Sequence, residues 1–158
     1  MKILKVFAVS LIALLVIAAG IMLYAENASF TLDKEKKIIH KSLCANGRGK
    51  NWDIFNSTFS NVIGSNYSSL GKYKVGKLRP MSSSFYGKGY NLYGLDSTNS
   101  NALVRGILIH KGNVEFETFP LPCIPASKGC FAVSSSMMKH IEDIKEQSSK
   151  PILLYAYK

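Results

Sequence analysis

Acidic residues are scarce in this chain of 158 residues, where 10 aspartates and glutamates stand against 20 lysines and arginines, for a formal net charge of +10. A basic balance of this size suits an anionic partner, such as a nucleic acid, a membrane surface or an acidic polymer. The basic residues are scattered and form no arginine-rich block. Together with the export signal described below, this scatter argues against nucleic acid as the partner.

Cysteine and histidine are equally scarce, with three of each, and they show no paired spacing of the kind that metal ligands have. We therefore expect no metal site. An odd number of cysteines in an exported protein leaves one thiol for a bond between chains or for chemistry. Cys130 is the candidate for a reactive thiol, while Cys44 and Cys123 form either a bridge or two buried thiols.

Internal repeats and low-complexity tails are absent, and one long apolar run stands out at residues 6–25. Only Ser10 and Gly20 interrupt it, and Lys2 and Lys5 flank it, which is the pattern of a secretory signal or an N-terminal membrane anchor. About 20 apolar residues are just sufficient to span a bilayer. The pattern predicts export to the periplasm or cell envelope, with cleavage and tethering to the inner membrane both open. Residues 26–158 then form one domain, whose 18 basic residues exceed its 10 acidic ones by eight.

The hydrophobic pattern of that domain predicts a mainly β (α+β) fold with one substantial helix near the C-terminus. Alternation and β-branched or aromatic content favour strands, and a serine run followed by an apolar stripe favours a capped helix. The predicted strands are residues 37–44, 72–77, 90–95, 105–110 (in the sheet centre), 114–119 and 152–157, and the predicted helix is residues 137–147.

The segment Ser127-Lys128-Gly129-Cys130 carries the main chemical signal, because His110 ends an apolar strand twenty residues before the cysteine. The thiolate is the reactive form of cysteine, and a nearby imidazole can take the thiol proton. Gly129 allows a close approach of the backbone to a substrate carbonyl, so that N–H groups can face an oxyanion. This arrangement predicts a cysteine nucleophile with a histidine base. A buried, inert cysteine is the alternative.

Several spaced motifs in the same order resemble the murein L,D-transpeptidases with a YkuD-like catalytic domain. A strand-end histidine precedes a Ser/Thr-x-Gly-Cys segment by about this distance in that family. The resemblance spans residues 32–157 and rests on Ile107-Leu108-Ile109-His110, Ser127 to Val133, Phe59-Ser60-Asn61, Ser68 to Tyr73, Tyr86 to Leu92 and Gly94-Leu95-Asp96, with Asn99, Ala102 and Arg105 following.

The resemblance implies a YkuD-like β-sandwich or barrel that performs acyl transfer in peptidoglycan without a cofactor. Cys130 would attack a diaminopimelate carbonyl of a stem peptide and form a thioester, with His110 as base. A carbonyl of Lys111 or Gly112 would orient the imidazole. The N–H groups of Lys128, Gly129 and Cys130 would hold the oxyanion.

Four further residues are candidates around this centre. Ser127 is expected to hold the nucleophile loop through its hydroxyl group. Tyr86 and Tyr90 could line a substrate groove, with core packing as the alternative. Arg105 could pair with a stem-peptide carboxylate or form a structural ion pair.

The chain departs from the family pattern at two positions. Lys128 stands where many members have histidine; its charge would favour the thiolate, unless the side chain is simply solvated. Asn46 replaces a second histidine near the site. These departures leave three functions open: a transpeptidase, an L,D-carboxypeptidase or exchange enzyme on the same scaffold, and a non-catalytic peptidoglycan-binding module.

Overall fold

The computed structural model describes residues 28–32, 38–49, 58–81, 87–112 and 127–157. Within these ranges, seven strands form one sheet that curls into a half-barrel, with one α-helix against it. The strands are β1 Ala28–Leu32, β2 Ile38–Ala45, β3 Gly71–Pro80, β4 Lys88–Gly94, β5 Leu108–Lys111, β6 Phe131–Val133 and β7 Leu153–Ala156, and the helix is α1 Ser135–Gln147. The mainly β prediction with one C-terminal helix is confirmed.

The order of strands in the sheet is β1-β2-β6-β5-β4-β3-β7, which confirms the central place predicted for β5. Five of the six strand pairs are antiparallel, and β5 with β6 is the parallel one. A parallel pair needs a long crossover connection. That connection includes residues 113–126, so the strand predicted at 114–119 lies outside the described residues.

Side chains that alternate along the strands build a core on one face of the sheet. In β3, Tyr73 and Val75 are buried while Lys72 and Lys74 are exposed, as the period of two requires. The same face of β4, β5 and β6 contributes apolar side chains, and Met137 and Met138 of α1 cover them. Burial of these side chains is the main driving force that holds helix and sheet together.

The helix starts where the sequence predicts a cap. The Ser134 hydroxyl oxygen accepts a hydrogen bond from the Met137 N–H at 3.1 Å and satisfies one of the donors that a helix start leaves open. The helix ends at Gln147, and the Ser148 N–H donates to the Ile144 carbonyl.

Three predicted strands differ from the structure mainly at their ends. The strand expected at 105–110 starts only at Leu108, because residues 101–106 form a turn closed by hydrogen bonds such as Arg105 N–H to the Asn101 carbonyl. β3 extends to Pro80 and β4 starts at Lys88. β1 and β6 were not predicted as strands. β6 has only three residues, too few for a periodic pattern.

In the described ranges no helix is long and apolar enough to cross a membrane. Residues 6–25, the expected signal or anchor, lie outside those ranges.

Candidate active site

Cys130 immediately precedes β6, and His110 lies on the neighbouring strand β5. His110 pairs with Ala132 in the parallel β5–β6 ladder, and paired residues point to the same side. Cys130 precedes Ala132 by two residues and therefore shares its side. Ile109 and Phe131, one position along each strand, are in the core on the other face. The register thus places Cys130 beside Leu108, two residues along β5 from His110, on the face opposite the core.

His110 is buried, at 5% exposure, and its ring is fixed by the backbone. The ring Nδ1 lies 2.7 Å from the Lys111 carbonyl oxygen. Since a carbonyl can only accept, Nδ1 carries the proton, and Nε2 is the nitrogen that can take up another one. Burial lowers the pKa of His110 below its ordinary value, and the Lys111 carbonyl opposes that shift. The imidazole is therefore neutral at pH 7.

The Cys130 sulfur is held at the start of β5. It accepts a hydrogen bond from the Leu108 N–H at 3.4 Å and lies 3.7 Å from the Gly106 carbonyl oxygen. Burial raises the pKa of the thiol, while the Leu108 N–H and the charges of Arg79 and Arg105 lower it. The resting state is thus a protonated thiol with donors and cations arranged around it that stabilise the thiolate once a base takes the proton.

The nucleophile loop is closed by Ser127. Its hydroxyl group donates to the Cys130 carbonyl and accepts from the Gly129 N–H at 3.2 Å. Gly129 has φ of +114°, a conformation that side chains other than hydrogen rarely allow. These contacts turn the chain sharply between Ser127 and Cys130.

A second loop, residues 65–69, packs across the nucleophile loop. The Ser68 hydroxyl donates to the Gly129 carbonyl and accepts from the Gly47 N–H, both at 2.8 Å. Gly47 also forms a bridge with Ser127, whose N–H donates to the Asn46 carbonyl. Asn46, the position where this chain lacks a second histidine, therefore lies directly beside the nucleophile loop, together with Gly47.

Arg105 holds the 58–69 segment in place. One terminal nitrogen donates to the Ser60 carbonyl and the Ser69 hydroxyl, both at 2.7 Å, and the other donates to the Ser65 hydroxyl at 3.2 Å and to the Tyr67 carbonyl. All these acceptors are uncharged, so Arg105 forms a hydrogen-bonded clamp and not the structural ion pair that was one of the two expectations. These bonds also leave both terminal nitrogens engaged within the protein, rather than available to a substrate carboxylate.

The remaining predicted residues fall in different places. Lys128 is exposed, as the solvated alternative expects. Tyr90 is buried in the core at 7% exposure, as the core-packing alternative expects. The Gly112 N–H donates to the Val133 carbonyl at 2.7 Å and joins the end of β5 to β6, so the imidazole takes its carbonyl partner from Lys111. Tyr86 lies outside the described residues.

Two features were missed from the sequence. Arg79, on β3, acts on the thiol electrostatically in the way that was expected of Lys128. Ser68 links three segments of the site. The motif Ser68 to Tyr73 marks the segment of Ser68 but not its contacts. The sequence does not show that Ser68 meets Gly129 or that Arg79 acts on Cys130, because each of these two pairs is more than 50 residues apart in the chain.

The other thiol with a described position is unlike Cys130. Cys44 is a free thiol on β2, and burial raises its pKa to about 12. Cys123, its possible bridge partner, lies outside the described residues. Among the side chains that are described, no three His, Cys, Asp or Glu residues converge as metal ligands would.

Comparison with known families agrees with this geometry. The family model of the L,D-transpeptidase catalytic domain matches residues 26–157. The chain belongs to this family. The resemblance seen in the motifs is thereby confirmed. No match was found among curated proteins.

A solved structure supports the fold. The chain is similar to an L,D-transpeptidase from Xylanimonas cellulosilytica, with a TM-score of 0.51 and 16% sequence identity. The match covers 85% of this chain and 57% of that one, so this L,D-transpeptidase family member spans little more than half of the solved chain.

Proposed function

We propose that this L,D-transpeptidase family member is an exported cysteine acyltransferase that acts on peptidoglycan stem peptides. The observation that carries the proposal is the position of Cys130 just before β6, which pairs in parallel with the strand of His110, with Nδ1 of the imidazole bonded to the Lys111 carbonyl. A nucleophile, a base and a group that orients the base are the parts that acyl transfer requires.

In the first half-reaction, Cys130 attacks the carbonyl at the L-centre of diaminopimelate. His110 Nε2 takes the thiol proton, the S–C bond forms, and the C–N bond to the terminal D-residue breaks as that amine receives the proton. In the second half-reaction, an acceptor amine gives a proton to His110 and attacks the thioester. The new C–N bond forms, the S–C bond breaks and the proton returns to sulfur.

The N–H groups of Lys128, Gly129 and Cys130 are the proposed oxyanion donors. The Gly129 N–H bonds to the Ser127 hydroxyl at 3.2 Å, at the long end of the N–H···O range. We expect this bond to lengthen further as negative charge develops on the substrate oxygen, because a charged acceptor forms the stronger bond.

Mass spectrometry of muropeptides tests the proposal. The full chain, purified in detergent, is incubated with tetrapeptide muropeptides beside the Cys130→Ala variant. We expect loss of the terminal D-residue and a joined dimer that depends on Cys130. A Cys130-dependent tripeptide alone would instead indicate a carboxypeptidase, and no Cys130-dependent change would indicate a binding module.

The chain offers a matched control in its other described cysteine. Cys44→Ala removes a thiol whose pKa of about 12 leaves it protonated and unreactive at pH 7. This variant is expected to keep the product pattern of the wild-type chain. Loss of the dimer in Cys44→Ala but not in Cys130→Ala would contradict the assignment of the nucleophile.

A further inference from the structure

Arg79 lies in the same cross-strand row as His110. Arg79 of β3 pairs with Gly89 of β4, and Gly89 pairs with His110 of β5. Residues paired in this way share a face of the sheet. Arg79 therefore projects from the face that carries Cys130 and His110, two strands away from the imidazole.

The position between Arg79 and His110 has no side chain. A Cβ atom at Gly89 would lie 3.0 Å from the His110 Cβ and 2.9 Å from the Ile109 carbonyl oxygen, so a larger residue would crowd the imidazole. Gly89 is itself buried, and the absence of a side chain leaves room for His110 in this row.

The Arg79 head group also reaches the segment that holds the thiol. Its Nη1 lies 4.0 Å from the position that a Cβ at Gly106 would occupy, and the Gly106 carbonyl oxygen lies 3.7 Å from the Cys130 sulfur. Its positive charge lowers the pKa of Cys130, which agrees with a position near the sulfur.

Arg79 is available to a ligand, in contrast to Arg105. It is exposed, and no hydrogen bond or ion pair joins its guanidinium to any described residue. Arg105, the other cation acting on the thiol, uses both terminal nitrogens inside the protein. A guanidinium without a partner among the described residues, near a nucleophile, suits a planar anion, because its fork of N–H donors matches a carboxylate.

We propose that Arg79 binds the carboxylate of the terminal D-residue that is expelled from the donor stem peptide. This inference rests on the proposed function for the choice of substrate. The carboxylate of that residue is two bonds from the leaving nitrogen, so an anion-binding group close to Cys130 meets it when the scissile carbonyl reaches the sulfur. Arg79 would thereby select donors with a free C-terminus.

Alkylation of Cys130 tests the anion site without any substrate. Iodoacetate and iodoacetamide differ in one charge, and the site of reaction in the full chain is mapped by peptide mass. We expect Arg79→Gln to lower the ratio of the iodoacetate rate to the iodoacetamide rate about three- to tenfold, the effect of one nearby charge. Lys72→Gln removes an equal charge from an exposed position of the same strand and should leave the ratio unchanged. An unchanged ratio in Arg79→Gln, or an equal fall in Lys72→Gln, would overturn the proposal.

Kinetics with two donors test which carboxylate is bound. The donors are a tetrapeptide with a free terminal D-alanine and the same peptide ending in D-alanine amide. We expect Arg79→Gln to raise KM for the acid about five- to twentyfold and to change KM for the amide less than twofold, as coupling between two partners requires. Equal losses on the two donors would overturn the proposal. If the wild-type chain converts neither donor, the transpeptidase function fails, and the alkylation ratio alone decides whether Arg79 binds a carboxylate beside the thiol.

Discussion

The pKa values of Cys130 and His110 are shifted in opposite directions by their surroundings, and both shifts come mainly from burial. Burial raises the pKa of Cys130 and lowers that of His110. Both residues are therefore neutral at rest, one with its proton and one ready to accept it. In the proposed reaction this neutral pair gains charge only as the proton moves, and the Leu108 N–H, Arg79 and Arg105 stabilise the thiolate that results.

These shifts predict a broad pH optimum. The reactive form holds one proton between the two groups, so activity falls when His110 gains a second proton or Cys130 loses its own. We expect kcat/KM to be flat from about pH 6.5 to about pH 8.5, the ordinary values of the two groups, because His110 titrates below this window and Cys130 above it. A pH profile with a steep limb inside the window would contradict the burial argument.

The lowered pKa of His110 also makes the stability of the fold depend on pH. Between the lowered pKa of folded His110 and the ordinary value of about 6.5, the unfolded chain binds more protons. The free energy of unfolding should therefore fall as the pH drops below about 6.5. Urea unfolding of His110→Gln, which cannot titrate, is the control: its stability should fall less than that of the wild type over this range.

Arg105 is expected to stabilise the fold mainly through its hydrogen bonds. Arg105→Ala removes hydrogen bonds to Ser60, Ser65, Tyr67 and Ser69 and should lower the free energy of unfolding by about 2–4 kcal/mol. Arg79→Ala removes an exposed guanidinium without such bonds and should change it by less than about 0.5 kcal/mol. Urea denaturation of the two variants measures the difference. Equal effects would show that the clamp contributes little.

At the scale of elements, the site depends on three loops whose backbones are in direct contact. Residues 46–48, 65–69 and 127–130 are joined by the Ser68 hydroxyl and by two isolated bridges. A Cβ at Gly47 would lie 2.4 Å from the Gly129 Cα and 2.5 Å from the Asn66 carbonyl oxygen. At this crossing, the backbone of Gly47 therefore packs so closely against Gly129 and Asn66 that no side chain fits between them.

This crossing predicts a strong effect of Gly47→Ala. Since the colliding atoms belong to the backbone, the nucleophile loop must move, and we expect a loss of about 2–4 kcal/mol in unfolding free energy with at least a tenfold loss in Cys130 reactivity. Gly64→Ala is the control, because it has φ of +79° but open space around a Cβ. Gly64→Ala should lower the free energy of unfolding by about 1 kcal/mol through backbone strain alone and leave alkylation of Cys130 unchanged.

At the scale of the whole molecule, the curled sheet keeps its core and its candidate site on opposite faces. The core face is closed by α1, and the other face carries the thiol, the imidazole and the cations of β3. The excess of basic residues suits an acidic polymer as partner.

Export through residues 6–25 is the prediction that belongs to this scale. A reporter that is active only outside the cytoplasm, fused after Ala25, should be active, because a basic start and an apolar run direct export. Replacement of Val6, Leu11 and Leu15 by aspartate should abolish reporter activity, since charges prevent insertion of the run. The product's mass in membrane and soluble fractions distinguishes a tether from a cleaved signal.

Local signals in the sequence were enough to predict the family and most of the elements, and to select Cys130 and His110 as candidates. Motifs around His110 and Cys130 follow one another along the chain, and the alternation in β3 and the cap at Ser134 act within a few residues. Such signals are readable because their physical causes are local: pleat, cap and turn are decided by neighbours in the chain.

The tertiary structure decided which cations face the thiol. Both Lys128 and Arg79 are exposed, but it is Arg79, 51 positions from Cys130, whose charge lowers the pKa of the thiol, and not Lys128, two residues away. A register shift between Val75 and Leu78 changes the alternation of β3 and turns Arg79 toward the site face. Likewise, both terminal nitrogens of Arg105 bind the segment 58–69, which lies next to Arg105 only in the folded chain. Contacts between distant segments depend on register, bulges and chain crossings, and these follow from the packing of the whole sheet rather than from spacing along the chain.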